Sequence, residues 1–451
     1  MSDHGLSLCT EKMRAAGVDP VAIDVFSHFY RLCERGETGI IPEDSIAPLL
    51  DPPQLAQVEV AEATALAALA ETVMIKLNGG LGTSMGLDSA KTLLPVRDGK
   101  NFLDLIVEQV RYARQKFGVP LPLLFMDSFR TQRDTLAHLA RYPDLAVDGL
   151  PLDFRQNAEP KLRRDDLTPV EHPADPSLEW CPPGHGDLYT ALWGSGILDS
   201  LIEAGFRYAS VANGDNLGAA PNPVLAGWFA DTGAPYAAEV CPRTVNDRKG
   251  GHLAIRKSDG QLILRDSAQT ADEDQVFFTD EHVHPYFHAN NLWLDLVQLR
   301  AAMQERDGVL GLPLILNEKT VDPGDPSSTP VIQLESAMGA AIEVFAGARA
   351  IAVGRDRFLP VKTTNELLLL RSDVFSLGED GRLVATTAIP EIDLAGQYYK
   401  LVDDFEARVK VVPSLERAES LVVRGDWVFD EPAEVVGAVT LPETGETRYY
   451  R

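Results

Sequence analysis

Cysteine is scarce, a basic excess is missing, and no long apolar run interrupts the 451 residues. The four cysteines, Cys9, Cys33, Cys181 and Cys241, form no CxxC pair. That argues against a zinc knuckle or a disulfide framework and points to a reducing, cytoplasmic location. Lys and Arg total 41 against 67 Asp and Glu, a net charge of -26. Affinity for nucleic-acid polymers comes mostly from cations meeting phosphates, so no such polymer is expected as partner. The apolar runs are too short to span a bilayer, and the N-terminus "MSDHGLSLCTEKMRAAG" lacks the basic end and apolar core of a secretory signal; no membrane partner is expected. Two phosphate-binding signatures are also missing. After Gly80 and Gly82 the next glycine is Gly86, one place late for GxGxxG, and no Gly-Lys-Ser/Thr triplet follows the glycines as a Walker A loop requires.

What remains is an ordinary globular balance, 45% hydrophobic and 24% charged, in a length that suits two or three units. Asp19-Pro20 reads as an N-cap and a helix-starting proline, followed by Ala22, Val25, Phe26, Phe29, Leu32 and Cys33 at helical spacing. The alanine-rich stretch Gln54 to Glu71 also reads as helix, making residues 1–72 a helical N-terminal region. From Val73 short apolar runs ("VMIKL", "PLLFM", "YASVAN", "AAEV") alternate with amphipathic segments such as Asn101 to Phe117 and Arg130 to Tyr142. This predicts an α/β domain with a largely parallel sheet over residues 73–375. Residues 376–451 turn β-rich; "LVVRGDWVFDEPAEVVGAVTL" has the valine spacing of two or three rungs of a short left-handed β-helix, or of a small meander.

The stretch "VMIKLNGGLGTSMGLDSAKTLLPV", Val73 to Val96, breaks an apolar strand into a glycine-rich turn followed by Lys91. Glycine lets backbone N–H groups approach phosphates, and ligands of open α/β sheets sit outside the strand ends. A purely structural turn explains the glycines alone equally well. Three further stretches favour a pocket: "CPPGHGDLY" presenting His185 and Asp187, "VANGDNLGA" placing Asp215 where a strand ends, and "RFLPVKTTNELLLL" setting Lys362 between an extended segment and a helix. Asp215 is well placed for a Mg²⁺ ligand.

In their order, "KLNGGLGTSMG", "FLDL", "PPGHGD", "NGDNLG", "NNLW", "VIQLESAMGAAI" and "RFLPVKTT" resemble the eukaryotic-type UTP–glucose-1-phosphate uridylyltransferases, the UDP-glucose pyrophosphorylases, over about Val73 to Phe375. The resemblance implies a Rossmann-like nucleotidyltransferase domain with a mixed, largely parallel sheet and a small C-terminal β-helix-like domain. It implies the Mg²⁺-dependent, reversible reaction of UTP and glucose 1-phosphate to UDP-glucose and pyrophosphate. By the same resemblance Leu77, Asn78, Gly79 and Gly80 contact the nucleotide, Lys91 holds its phosphates, and Gln156 and Gly184 meet the uracil. His185 touches the sugar phosphate, Asn213, Gly214 and Asn290 or Asn291 lie by the sugar, Asp215 binds Mg²⁺, and Lys362 is catalytic. A UDP-N-acetylhexosamine or broad UDP-sugar pyrophosphorylase is the enzyme alternative. A non-catalytic nucleotide-sugar sensor is the alternative of another class, disfavoured because a binder has no need of Lys91, Asp215 and Lys362 together. A homo-oligomer is left open.

One departure stands out. Where the family has a Cys-Lys-Gly-Pro-Lys run, this chain reads Leu87-Asp88-Ser89-Ala90-Lys91, with a carboxylate in place of a lysine. Other features have plain readings. His282, His284 and His288 stand at HxHxxxH spacing, but a histidine-rich loop entering a strand is the commoner reading and is the one expected here. Asp403, Asp404 and Glu406 read as a solvated face, and Lys249 to Gly251 either as a hairpin turn or as a segment near the sugar.

Overall fold

The computed structural model describes residues 2–147, 149–244, 247 and 250–451; Lys249 of the expected turn lies outside the described residues. Seven strands form the central sheet: β1 (Thr72–Asn78), β2 (Leu123–Asp127), β3 (Asp153–Arg155), β4 (Tyr208–Asn213), β5 (Tyr236–Pro242), β6 (Tyr286–Asp295) and β7 (Arg349–Ala352). They lie in the order β7-β5-β6-β4-β1-β2-β3. β6 runs antiparallel to its neighbours β4 and β5, and every other pairing is parallel. The mixed, largely parallel sheet expected from the sequence is what the chain forms.

Both faces of this sheet are covered, which is why its strands read as continuous apolar runs. Side chains alternate along β1: Val73 and Ile75 pack with Phe26, Phe29 and Tyr30, and Met74 packs on the opposite face with Phe102 and Phe125. Lys76 follows the same period of two onto the Met74 face and is fully buried. The helix Pro20–Glu34 starts as its sequence predicts, with the Asp19 side chain accepting from the Val21 N–H at 2.9 Å. The helix Phe102–Phe117 is opened by a reciprocal capping box between Asn101 and Asp104 and closed by Gly118 at φ 66°.

Two helical expectations shrink. In Gln54 to Glu71 the α-helix is confined to Glu62–Ala70, with a single 3-10 turn at Leu55–Gln57 before it. The reason is tertiary: Gln54 bridges Ala352 on the edge strand β7, and Ala352 N–H donates to the Pro53 carbonyl, so this backbone serves the sheet instead of a helix. In Arg130 to Tyr142 the helix is Gln132–Leu139. No helix among the described residues is long and apolar enough to cross a membrane.

Beyond the central sheet, strands Glu391–Leu394, Ala418–Val423 and Gly437–Leu441 pair in parallel, as do Trp427–Val428 and Arg448–Tyr449. A meander would pair antiparallel, so the β-helix-like alternative is the one formed. Its Phe405, Leu421 and Val423 share one core with Phe102 and Phe125 of the sheet domain. The contact reaches the glycine loop: a Cβ on Gly86 (φ 79°) would come 3.2 Å from the Leu401 side chain.

Candidate active site

β1 delivers the glycine loop to the C-terminal edge of the sheet. Gly82 and Gly86 sit at φ 68° and 79°, left-handed backbone that favours glycine, and the Lys91 N–H closes the loop on the Gly80 carbonyl at 3.2 Å. A Cβ on Gly79 would lie 2.7 Å from Gln156 Nε2, whereas Gly80 has open space beside it. The Gly214 N–H donates to the Leu77 carbonyl at 2.8 Å, which ties the glycine loop to the loop after β4. The Asn78 side chain is already committed. Its Nδ2 donates to Asp127 Oδ1 (2.7 Å) and Thr135 Oγ1 (2.8 Å), and its Oδ1 accepts from Thr92 (2.6 Å). A ligand at this position would therefore meet the backbone of Asn78 and not its side chain.

A cavity of about 280 Å³ opens beside this loop, lined by His185, Asn213, Asp215, Asp266, His288, Asn290 and Lys362 among others. A register shift in the β5–β6 ladder puts a bulge at Ala289 and Asn290, and Asn290 adopts φ 54°. The bulge turns Asn290 into the cavity. Asn291 is not available to a ligand: its Nδ2 donates to Glu239 and to the Arg357 carbonyl, and its Oδ1 accepts from Asn216, all in the buried layer below. Of the two asparagines, Asn290 is the candidate for the sugar.

His185 Nδ1 accepts from the Met338 N–H at 2.9 Å, so the ring proton resides on Nε2, and burial lowers its pKa to about 4. It is a neutral donor near pH 7. Lys91 Nζ lies 2.6 Å from Asp215 Oδ2 and also donates to the Val361 carbonyl. Lys362, the next residue, is exposed; its ammonium stands 5.9 Å from the Phe358 ring centroid, with no carboxylate partner among the described residues. The helix Thr364–Arg371, capped by Thr363 and Glu366, starts directly after it.

Gln156 and Gly184 stand apart from that cavity. Gln156 lines a neighbouring one of about 670 Å³ with Phe129, Asn157 and Trp180, and its side-chain amide makes no hydrogen bond among the described residues. Gly184 (φ 77°) packs so closely that a Cβ would come 2.6 Å from the Ser336 carbonyl oxygen, a structural reason for glycine independent of any base. The three spaced histidines part ways. His282 is exposed, His284 stacks on His252 with centroids 3.7 Å apart and bonds Glu43, and His288 faces the cavity. Among the described residues no group of three or more His, Cys, Asp or Glu forms a metal-ligand set. A Mg²⁺ bound at Asp215 would take one protein carboxylate and complete its shell with phosphate oxygens and water, the habit of that ion.

Sequence reasoning missed Asp266 and Asp247, two further carboxylates in the cavity wall. Asp247 is paired with Arg355 at 2.7 Å, across 108 residues of chain, and no local signal announces such a pair. It also missed Asp127. Burial raises the pKa of this carboxyl to about 7 against hydrogen bonds from Thr135, Asn78 and Thr131 to Oδ1, while Oδ2 has no partner. A raised folded pKa means the stability it contributes is present below about pH 4, where the unfolded carboxyl titrates, and is lost as pH rises through about 7. Asp127→Asn is expected to flatten the fall in unfolding free energy between about pH 4 and 7, read by urea denaturation. Part of the slope persists through Asp187 and Glu343, which burial also raises to about 7. An unchanged slope would refute the assignment to Asp127.

The family model described as UTP–glucose-1-phosphate uridylyltransferase matches residues 23–435. The potato (Solanum tuberosum) protein of that name is 38% identical over 408 residues, covering 89% of this chain and 81% of its own. The Saccharomyces cerevisiae protein is 38% identical over 379 residues, covering 83% and 74%. A mutant of the Leishmania major UDP-glucose pyrophosphorylase, solved with UDP-glucose, superposes with a TM-score of 0.91 at 41% identity over 99% of this chain and 98% of that one. The Trypanosoma brucei structure described as a UDP-glucose phosphorylase gives 0.90 at 42% over 99% and 100%. With this likeness running through the sheet, the glycine loop and the C-terminal coil alike, the chain belongs to the UTP–glucose-1-phosphate uridylyltransferase family.

Proposed function

We infer that the protein is a nucleotidyltransferase that converts UTP and glucose 1-phosphate to UDP-glucose and pyrophosphate, reversibly. The observation that carries this reading is family membership over residues 23–435, supported by the grouping of His185, Asn213, Asp215, Asn290 and Lys362 around one cavity. The sugar phosphate is already ionised, so its oxygen needs no general base to attack the α-phosphorus of UTP. The new P–O bond forms as the bond to pyrophosphate breaks in line. Catalysis is then positioning and charge neutralisation.

His185 Nε2–H donates to the sugar phosphate, and Asn213 and Asn290 hold sugar hydroxyls. Lys362 stands by the α-phosphate and the attacking oxygen. Lys91 leaves Asp215 for the leaving phosphates, and Asp215 is the residue that would hold Mg²⁺. When bound, that ion supplies Lewis-acid neutralisation of the phosphate oxygens. The backbone of Leu77, Asn78, Gly79 and Gly80 faces the nucleotide, and the unpartnered Gln156 amide, close against Gly79, is suited to reading uracil. Cys9, Cys33, Cys181 and Cys241 are free thiols, which fits a reducing cytoplasm.

The direct test is pyrophosphate release from UTP and Mg²⁺ with glucose, galactose, N-acetylglucosamine and glucosamine 1-phosphates. Strong preference for glucose is expected. Preference for N-acetylglucosamine would move the protein to the hexosamine branch, and silence across the panel would leave a sensor. Asp88 offers a chain-specific test. It is exposed on the bend after Gly86 and carries a charge that repels a triphosphate. Asp88→Lys is expected to lower the KM for UTP about threefold to tenfold, an effect shrinking as salt screens exposed charges. A KM that does not move places Asp88 away from the phosphates.

A further inference from the structure

Below the cavity floor lies a buried polar layer that no residue of the proposed chemistry explains. Glu239, fully buried on β5, receives four donors: Arg357 Nε (2.9 Å) and Nη2 (2.7 Å), Asn291 Nδ2 (3.0 Å) and Trp293 Nε1 (3.0 Å). These bonds and the guanidinium outweigh burial and hold its carboxyl below the usual range. Arg357 Nη1 donates in turn to the Ala220 carbonyl at 2.8 Å. Ala220 closes the loop that begins at Asn213 and carries Asp215. Arg357 opens the segment that ends at Lys362. One guanidinium therefore grips the sheet through Glu239 and the Asp215 loop through Ala220, while its own backbone leads to Lys362.

Asn216 completes the joint. Its Nδ2 donates to the Arg357 carbonyl (3.2 Å) and its Oδ1 accepts from the Leu359 N–H (2.8 Å). The fit has no slack: a Cβ on Gly218 would come 2.5 Å from the Arg357 carbonyl carbon. At the far end, the Val361 carbonyl takes the Lys91 ammonium that is paired to Asp215. The loop and the segment are thus fastened along their whole length.

We propose that Arg357, chelated by Glu239, is a positioning residue of the uridylyl transfer: it fixes the spacing between the Asp215 loop and Lys362 without touching a substrate. This rests on the reading of Lys362 and Asp215 given above. A planar fork that binds two carboxylate oxygens defines orientation as well as distance, which a lysine ammonium cannot do. Misplacing a reacting group by about 1 Å costs on the order of a hundredfold in rate.

The test is the double variant Glu239→Met with Arg357→Met, which removes both charges together so that neither is left facing a lost partner, while the buried Lys76, on which both charges act, keeps its bond to the Ala219 carbonyl. In folded protein assayed well below its melting temperature, kcat is expected to fall about a hundredfold while KM for UTP and glucose 1-phosphate stays within about threefold. Arg357→Lys should recover part of kcat, and Asn216→Ala, which cuts the same joint without touching a charge, should lower kcat in the same direction. A wild-type kcat in the folded double variant, or in Asn216→Ala should the double variant fail to fold, overturns the inference. Lys362→Met is assayed alongside. Should that variant keep full activity, the reading of Lys362 fails, and the inference with it; should it alone be inactive, only the positioning role is lost.

Discussion

Lys362→Met is expected to lower kcat by about a thousandfold and to leave the melting temperature unchanged. The size follows from what the side chain does and does not do in the fold. It is exposed, rests near the Phe358 ring and has no carboxylate partner among the described residues, so little stability depends on its charge. A preorganised donor aimed at developing charge is worth about 3–4 kcal/mol in mutagenesis of comparable sites, which is two to three decades in rate. Methionine keeps the apolar stem and removes only the ammonium. Lys362→Arg should recover a fraction, because a bulkier planar cation keeps the sign of the charge and displaces it. Steady-state kinetics in both directions measure this. A kcat within tenfold of wild type would remove Lys362 from the reaction.

Asp215→Asn separates metal binding from nucleotide binding, and its signs differ. The carboxylate is 2.6 Å from Lys91 with both side chains less than a fifth exposed, so without a metal it occupies the lysine that a triphosphate needs. Neutralising it frees Lys91 and lifts a repulsion on phosphate oxygens. Affinity for UTP without Mg²⁺ is therefore expected to hold or improve in a calorimetric titration. Turnover behaves oppositely: kcat is expected to fall on the order of a hundredfold or more, and the Mg²⁺ needed for half-maximal rate to rise more than tenfold, because a hard divalent cation loses its anionic protein ligand. Loss of metal-free UTP affinity together with kcat would instead mark Asp215 as a structural partner of Lys91.

Local signals carried further than long-range ones. Asp19-Pro20, the capping residue Asn101 and the apolar runs of β1, β2, β4 and β5 were legible because each rests on neighbours in sequence. The helix over Gln54 to Glu71 was over-read because alanine propensity is a weak preference, overridden when Gln54 and Pro53 were drawn to β7. In the site, family motifs brought Lys91, Asp215, His185 and Lys362 to notice. What they did not distinguish was Asn290 from Asn291, because a bulge decides which of two adjacent asparagines faces the cavity. Nor did the motif "RFLPVKTT", which begins at Arg357, show that this arginine pairs with Glu239, 118 residues away, a pairing that exists only in the folded chain.

The single antiparallel strand has a consequence for how the protein is made. Among the described residues β6 alone joins the β4-β1-β2-β3 half of the sheet to the β5–β7 edge, yet it ends at Asp295, long after β5 has been synthesised. On the ribosome, β5 emerges before either of its neighbours, and β4 waits with one edge open. Unpaired edges of this kind are templates for pairing with other chains. Nascent chains stalled between Pro242 and Tyr286 should therefore be the ones most dependent on chaperones, while release past Asp295 closes the open edge of β4 and one edge of β5, the other waiting for β7.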